Sequence, residues 1–327
     1  MICRICHNEK GNKAFIAREM VFGYRDEFKY FECRNCGCLQ IKELPDNISR
    51  YYPSDYYSYS DSAIGIKPEN FLLKWARKKR ALYGLSNQGL IGSVITKRKA
   101  LPRYYEFLSK CNLNLGSKIL EIGCGSGQFL KQLEREGFKN LFGIDPYLPL
   151  RKARENKCLQ ILHDDLDNFE SVHRKEFDFV MLHHTLEHML DHHKTFFLLS
   201  NLLKDNGYVW ITMPVIGYAW RHYQSNWCGL DPPRHFIIHS MKSLEILCNE
   251  SFLQMVSTTY NSTEYQFVAS EQYSRDISLL DKRSYIVEPQ NSIFTEEQVE
   301  YFKEKSIELN INLDGDSASF LLINKRK

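Results

Sequence analysis

Lys118-Ile-Leu-Glu-Ile-Gly-Cys-Gly-Ser-Gly-Gln-Phe-Leu130, followed by Leu141-Phe-Gly-Ile-Asp145, decides how this chain folds. An apolar run that reads as a buried parallel strand ends in Glu121 and then Gly123, Gly125 and Gly127 at alternate positions, after which a helix-forming segment begins. A second strand ends in Asp145. Strand, glycine turn, helix, strand and acid, in that order, are how a doubly wound α/β sheet holds a nucleoside-bearing cofactor at the carboxyl ends of its strands.

The glycine spacing selects the cofactor. A Gly-x-Gly-x-x-Gly dinucleotide fingerprint needs glycine at 128 or 130, where the chain has Gln128 and Leu130. Glu121 followed by Gly123-x-Gly125-x-Gly127 instead resembles the first motif of class I S-adenosylmethionine (SAM)-dependent methyltransferases. That resemblance implies a Rossmann-like, seven-stranded sheet. It also implies glycines that let the backbone approach the amino-acid part of the cofactor, where a Cβ would collide. Asp145 would hold the ribose hydroxyls. In His163-Asp-Asp-Leu-Asp-Asn-Phe169, the adenine amino group falls to Asp165, with Asp164 as alternative.

Working outward, strands and helices alternate from Leu115 as a parallel sheet requires. Strands are expected near Lys118–Ile122, Leu141–Asp145, Gln160–His163, Phe177–His183, Tyr208–Met213, Leu253–Tyr260 and Ser319–Asn324. Helices are expected near Gly127–Arg135, Pro149–Glu155, His192–Leu203 and Met241–Glu250. A long insertion, residues 261–317, carries a helix at Glu296–Leu309 and either caps the site or makes a dimer.

With 327 residues, 43% hydrophobic and 25% charged, the chain can bury one large core and one small satellite. A net charge of +3 does not by itself imply a nucleic-acid binder. Met1-Ile-Cys-Arg-Ile-Cys6 lacks the apolar core of a signal peptide, and no run of about 18 apolar residues follows. The expectation is a cytoplasmic protein whose ten cysteines are thiols or metal ligands.

Four of them form two knuckles, Cys3-x-x-Cys6 and Cys33-x-x-Cys36, which can give four thiolates to one tetrahedral zinc. Phe15–Arg18 and Lys29–Glu32 can pair as short strands beneath it, with His7 and Cys38 as spare ligands. Four protein ligands leave no open position, so the zinc reads as structural. The module occupies residues 1–45.

Residues 46–110 connect it to a catalytic domain at 111–327. The tyrosine-rich stretch from Leu44 to Tyr59 spans the junction, and can stack on a sugar or base or pack the module down. Phe71 to Tyr83 then places Leu72, Trp75 and Leu82 near one helical face with cations elsewhere, and Lys97-Arg-Lys99 adds charge. Such a helix packs on the catalytic domain, or makes peripheral contact with an anionic membrane or a phosphorylated substrate.

Two further stretches, with the earlier knuckles and tyrosine segment, extend the resemblance over residues 1–260. Phe177 to His188 is similar to the fourth strand and turn of the branch that includes ubiquinone-biosynthesis enzymes. Trp227-Cys-Gly-Leu-Asp-Pro-Pro-Arg-His-Phe236, with the paired knuckles and Tyr-Pro-Ser-Asp-Tyr-Tyr, resembles zinc-containing bacterial methyltransferases of sugar and surface-polysaccharide modification. An alcohol acceptor needs a base to take its proton, and histidine suits that near neutral pH. His184 and His235 are the first candidates, followed by His188 and Glu187. His184 and His188 would share a face if their turn were helical. Sugar C-methyltransferases place a Glu-His pair where this chain has Arg234-His235, which argues against carbon as acceptor and leaves Arg234 to bind an acceptor diphosphate or carboxylate. The expectation is therefore O-methylation of a sugar, nucleotide-linked or in a glycan precursor. A sugar C-methyltransferase and an enzyme for a small quinone-like acceptor are the nearer alternatives. A zinc-ribbon RNA methyltransferase and a silent SAM-binding partner are alternatives of another class. Oligomeric state does not follow from the residues.

Overall fold

The computed structural model describes residues 1–52 and 70–326. The later part of the tyrosine-rich stretch, including Tyr56, Tyr57 and Tyr59, lies outside the described residues. The amino-terminal module is a small antiparallel sheet of β1 (Lys13–Arg18), β2 (Glu27–Glu32) and β3 (Leu39–Ile41). Its fourth strand comes from far along the chain, with Ile237 opposite Gln40 and Ile238 opposite Leu39. The module is thereby built into the larger domain.

Two helices, α1 (Phe71–Ser86) and α2 (Leu90–Arg98), lead to the short α3 (Tyr105–Leu108). The packing of α1 on the catalytic domain agrees with expectation, but through another face. Leu72, Trp75 and Leu82 are exposed, and Arg80, Ala81, Gly84 and Leu85 are buried. Gly84 lies against the Tyr105 ring, where an added Cβ would stand 2.5 Å from Cδ1.

The large sheet contains β4 (Lys118–Ile122), β5 (Asn140–Ile144), β6 (Arg154–Glu155), β7 (Leu159–Leu162), β8 (Phe177–His183) and β9 (Leu203–Pro214). Its helices are α4 (Gln128–Glu136), α5 (Leu166–Val172), α6 (His192–Leu202) and α7 (Tyr218–Tyr223). After β10 (Ile237–Ile238) come α8 (Met241–Glu250), β11 (Leu253–Tyr260), α9 (Tyr265–Ser274), α10 (Glu296–Ile311) and β12 (Ser317–Asn324). The order is β11-β12-β9-β8-β4-β5-β7-β6, parallel from β9 to β7, with β12 antiparallel between β9 and β11.

Seven of these are the expected strands; the eighth, β6, is a two-residue edge. It replaces the helix expected at Pro149–Glu155, where only a 3-10 turn at Leu150–Lys152 forms. That segment offers a single large apolar side chain, Leu150, which is 75% exposed, so it has no stripe to bury. Elsewhere alternation works as strands require. Val180 and Leu182 pack with Phe196 and Leu244 on one face, while Phe179 and Met181 pack with Tyr105 and Leu133 on the other. Cys3, Ile5 and Phe31 join the first of these clusters, so module and domain share one core.

Candidate active site

The glycine loop leaves β4 and enters α4 with Gly123, Gly125 and Gly127 all in the left-handed region, at φ of +69°, +51° and +70°. Only glycine adopts three such angles in close succession without strain. Two of these glycines are also crowded by the protein itself. A Cβ at Gly123 would meet Thr185 at 2.4 Å, and one at Gly127 would meet Ile161 Cδ1 at 2.2 Å. Asp145, just after β5, accepts hydrogen bonds from the Gly125 N–H (3.0 Å) and the Tyr147 N–H (2.8 Å), which fix its carboxylate beside the loop.

Around the same loop, three buried polar atoms have no partner among the described residues: Glu121 Oε2, Ser126 Oγ and His183 Nε2. Burying such atoms unpaired is costly, so this end of the sheet is built for a polar ligand. Its acids, hydroxyl and open glycine backbone fit the amino-acid and ribose parts of SAM. His183 is tied to Glu121 at 3.2 Å and packs edge-on against Trp210, so it belongs to this wall. Asp165 caps α5, accepting from the Asn168 N–H at 2.9 Å. Asp164, next to it, accepts from the Asp165 N–H at 2.9 Å.

A cavity of about 700 Å³ adjoins the carboxyl ends of β8 and β9. Val21 and Phe22 of the module, Leu280 and Ile286 of the insertion, and His184 and His235 are among its walls. The insertion therefore caps this cavity. The Val21–Tyr24 turn is held by Glu19, which is fully buried and accepts three backbone N–H bonds, from Val21, Phe22 and Tyr24, each at 3.0 Å. Arg234 completes the arrangement. It borders the cavity, but the residue is 1% exposed, bonded to Glu19 at 3.1 Å and to Asp231 at 2.9 Å, and lies over the Phe22 ring. Two carboxylates take up its charge inside the protein.

The candidate bases converge on the cavity, but in a different grouping from the one expected. The turn after β8 is a single 3-10 turn, Leu186–His188, and His184 sits at φ +49°, so His184 and His188 do not share a helix face. His184 instead donates from Nδ1 to Glu187 Oε1 at 3.2 Å, with its side chain about half exposed toward the cavity. Burial alone would lower the His184 pKa, but the hydrogen bond and charge of Glu187 outweigh it and hold it above the ordinary value. Glu187 is fully buried, which by itself would raise its carboxyl; His184, with His188 and His235 adding to it, brings it down to about 2. His188 donates from Nδ1 to the Arg234 carbonyl (2.7 Å), and His235 from Nδ1 to the Gly229 carbonyl (2.8 Å).

At the far end of the module, Sγ of Cys3 is 3.6 Å from that of Cys36, and Sγ of Cys6 is 3.5 Å from that of Cys33; all four lie within 4.8 Å of one another. Four sulfurs about 2.3 Å from one zinc stand some 3.8 Å apart in a tetrahedron, so this set fits the ion. Cys38 is also close, 3.3 Å from Cys36, and shares the Gln40 amide with Cys3. His7 instead stacks on His193.

Glu19, Asp231 and Asp316 were not legible as site residues. Glu19 is a single acid 215 residues from its arginine partner. Asp316 lines the cavity and accepts from the Trp227 indole at 2.9 Å, while burial raises its carboxyl pKa. Only the Asp231–Arg234 contact is local, three residues apart; those of Glu19 and Asp316 to their distant partners leave no pattern along the chain.

A family profile described as a methyltransferase domain matches residues 95–258, half of the chain, and excludes the thiol module and the whole insertion. Over 67 residues the chain is 36% identical to EEF1A lysine methyltransferase 2 of Danio rerio, covering 20% of this chain and 29% of that protein. It is 31% identical over 99 residues to an uncharacterized methyltransferase of Geobacillus sp. (30% and 46%), and 29% identical over 101 residues to a ubiquinone biosynthesis O-methyltransferase of Yersinia pestis (29% and 41%). The chain thus spans under half the length of each of these relatives. Among solved structures, a SAM-dependent methyltransferase of Archaeoglobus fulgidus is similar at a TM-score of 0.41 and 19% identity, covering 68% of this chain and all of that one. Another, from Mesorhizobium loti, gives 0.42 and 14%, covering 67% and 97%.

Proposed function

The chain belongs to the methyltransferase domain family of SAM-dependent methyltransferases, and from that premise we propose that it methylates a sugar hydroxyl, nucleotide-linked or in a surface-glycan precursor. Gly123, Gly125, Gly127, Glu121 and Asp145 hold the cofactor, with Asp164 or Asp165 at the adenine. When bound, SAM supplies a methyl carbon on a sulfonium, already activated and leaving a neutral thioether.

The protein's part is to orient the acceptor, exclude water and remove one proton. The observation that carries the reading is His184 on the cavity wall, paired with the buried Glu187 behind it. An amine acceptor needs no base, whereas a hydroxyl must lose its proton as attack begins. With Nδ1–H bonded to Glu187, His184 has its lone pair on Nε2 and takes that proton there, while the Glu187 carboxylate stabilises the imidazolium formed. Asn261, Thr263 and Gln266 along the same cavity suit the hydroxyls of a sugar. Carbon methylation needs a stronger base, and the residue before His235 is an arginine engaged elsewhere. Cys3, Cys6, Cys33 and Cys36 hold a structural zinc that fixes the module and, through it, the Phe22 wall.

A second reading rests on the apolar side of the cavity, Val21, Phe22, Leu279, Leu280 and Ile286, which would suit a quinone-like ring. One of the relatives named above is a ubiquinone biosynthesis O-methyltransferase.

Calorimetric titration with S-adenosylhomocysteine, on wild type and Asp145→Ala, tests the cofactor site first. Transfer of a ¹³C-labelled methyl group to nucleotide sugars or to dihydroxybenzenes, read by NMR, then identifies the acceptor. A carbon- or nitrogen-bound methyl in the product would refute the oxygen reading. Turnover of dihydroxybenzenes alone would select the second one.

A further inference from the structure

Beyond the four-thiolate site, we propose that Glu187, His188 and His235 form a second metal centre in the acceptor cavity, for a divalent first-row ion. Each of the three brings a potential ligand atom to within 4.8 Å of the other two.

The surrounding hydrogen bonds prepare them for this. His188 and His235 both give Nδ1 to a backbone carbonyl, of Arg234 and Gly229, so the lone pair of each ring stands on Nε2. A second-shell carbonyl on the distal nitrogen is how metal-ligating histidines are usually fixed in tautomer and direction. The turn and the loop that carry them are stitched together by the Phe236 N–H bond to the Glu187 carbonyl at 2.7 Å. The same loop is braced by Arg234 on Asp231.

Glu187 is fully buried; one oxygen accepts from His184, and the other, Oε2, has no partner among the described residues. His235 Nε2 stands 4.0 Å from Glu187 Oε1 and 3.8 Å from Asp231 Oδ2, too far for a hydrogen bond and with lone pairs on both sides. A cation among these atoms satisfies all of them at once. A first-row ion sits about 2.1 Å from such ligands, so ligand atoms lie at most about 4.2 Å apart, and the trio must close by only a fraction of an ångström.

Two imidazoles and one carboxylate suit Mn²⁺, Fe²⁺, Co²⁺ or Zn²⁺ and leave positions open. His188 and His235 line the cavity, so those positions face the acceptor. Resting on the oxygen-acceptor reading, the centre's ligand class is a vicinal diol of the sugar. The ion polarises one hydroxyl and lowers its pKa, and the proton passes to His184 Nε2.

The test separates binding from turnover. Holoprotein with its thiolate site saturated by zinc is titrated with Mn²⁺ alone, without cofactor or acceptor, and free Mn²⁺ is followed by electron paramagnetic resonance. One Mn²⁺ per chain is expected, with affinity about 100-fold lower in His235→Gln and Glu187→Gln and unchanged in Asp145→Ala. Co²⁺ in the wild-type holoprotein supplies a readout that does not depend on a variant folding; weak d–d bands without a sulfur charge-transfer band support nitrogen and oxygen ligation. Absence of Mn²⁺ uptake, uptake indifferent to both substitutions, or a thiolate spectrum overturns the proposal. Because neither readout involves methyl transfer, failure of the sugar O-methylation reading leaves this result standing.

Discussion

Replacing Arg234 by methionine keeps most of the side-chain volume and removes the charge between Glu19 and Asp231. Breaking a buried ion pair from one side costs about 3–5 kcal/mol, because the remaining charge is stranded. Two carboxylates face Arg234, but the costs do not simply add. Glu19 keeps its three backbone N–H donors, and the Asp231 side chain is 16% exposed and can recruit water. The expected loss is therefore about 4 kcal/mol, near the middle of that range. With a urea m-value of about 3 kcal/mol/M, the unfolding midpoint should fall by roughly 1.3 M. Tryptophan fluorescence reports it well, since Trp220 and Trp227 lie in the same cluster as Leu230, next to the pair. Glu19→Gln in the Arg234→Met background should recover part of the loss, with a coupling energy of about 2 kcal/mol or more. S-adenosylhomocysteine affinity should stay unchanged while acceptor turnover collapses, because Phe22 and the His235 loop lose their brace. A midpoint shift below about 0.3 M, under 1 kcal/mol on the same m-value, would refute the view that this pair ties module to cavity.

Four further outcomes follow from the same structure. Gly127→Ala puts a Cβ 2.2 Å from Ile161 Cδ1 at a φ of +70°, so it should cost about 1–3 kcal/mol and weaken S-adenosylhomocysteine binding in calorimetry; wild-type affinity and midpoint would contradict it. His184→Gln should lower turnover about 10²–10⁴-fold with cofactor affinity intact, and near-normal single-turnover rates would remove His184 as the base. Burial lowers the His192 pKa from 6.5 to about 4, with bonds to backbone opposing, so the unfolded chain binds the extra proton between those values. Stability present above pH 6.5 should thus fall by roughly 3 kcal/mol as pH drops to about 4; His192→Asn should flatten the curve, and identical acid profiles would exclude His192 as its source. Chelation of metal, or Cys33→Ser, should lower the melting temperature of the whole protein in calorimetry, since Cys3, Cys33 and Cys36 belong to the same core as Val180 and Leu182. Loss confined to a separate small transition would argue that the module is independent.

Local chemistry wrote much of this protein into its sequence. Glycines at 123, 125 and 127, the acid at 145, alternating strands from Lys118 and two cysteine knuckles each depend on neighbours a few residues away, so spacing alone carried the fold class, the cofactor end and the thiol cluster. Helix α10 even announced its start, with Thr295 and Gln298 forming a capping box. The helix expected at 149–155 failed because propensity had no buried face to support it. The walls of the cavity were decided only in three dimensions. Glu19 and Arg234 are 215 residues apart, and β3 finds its second partner in β10. His184 pairs with Glu187 and not His188, because one turn of 3-10 geometry and a left-handed backbone set its direction. Whether a charged side chain greets a substrate or another side chain depends on what the fold places opposite it, and no local pattern records that.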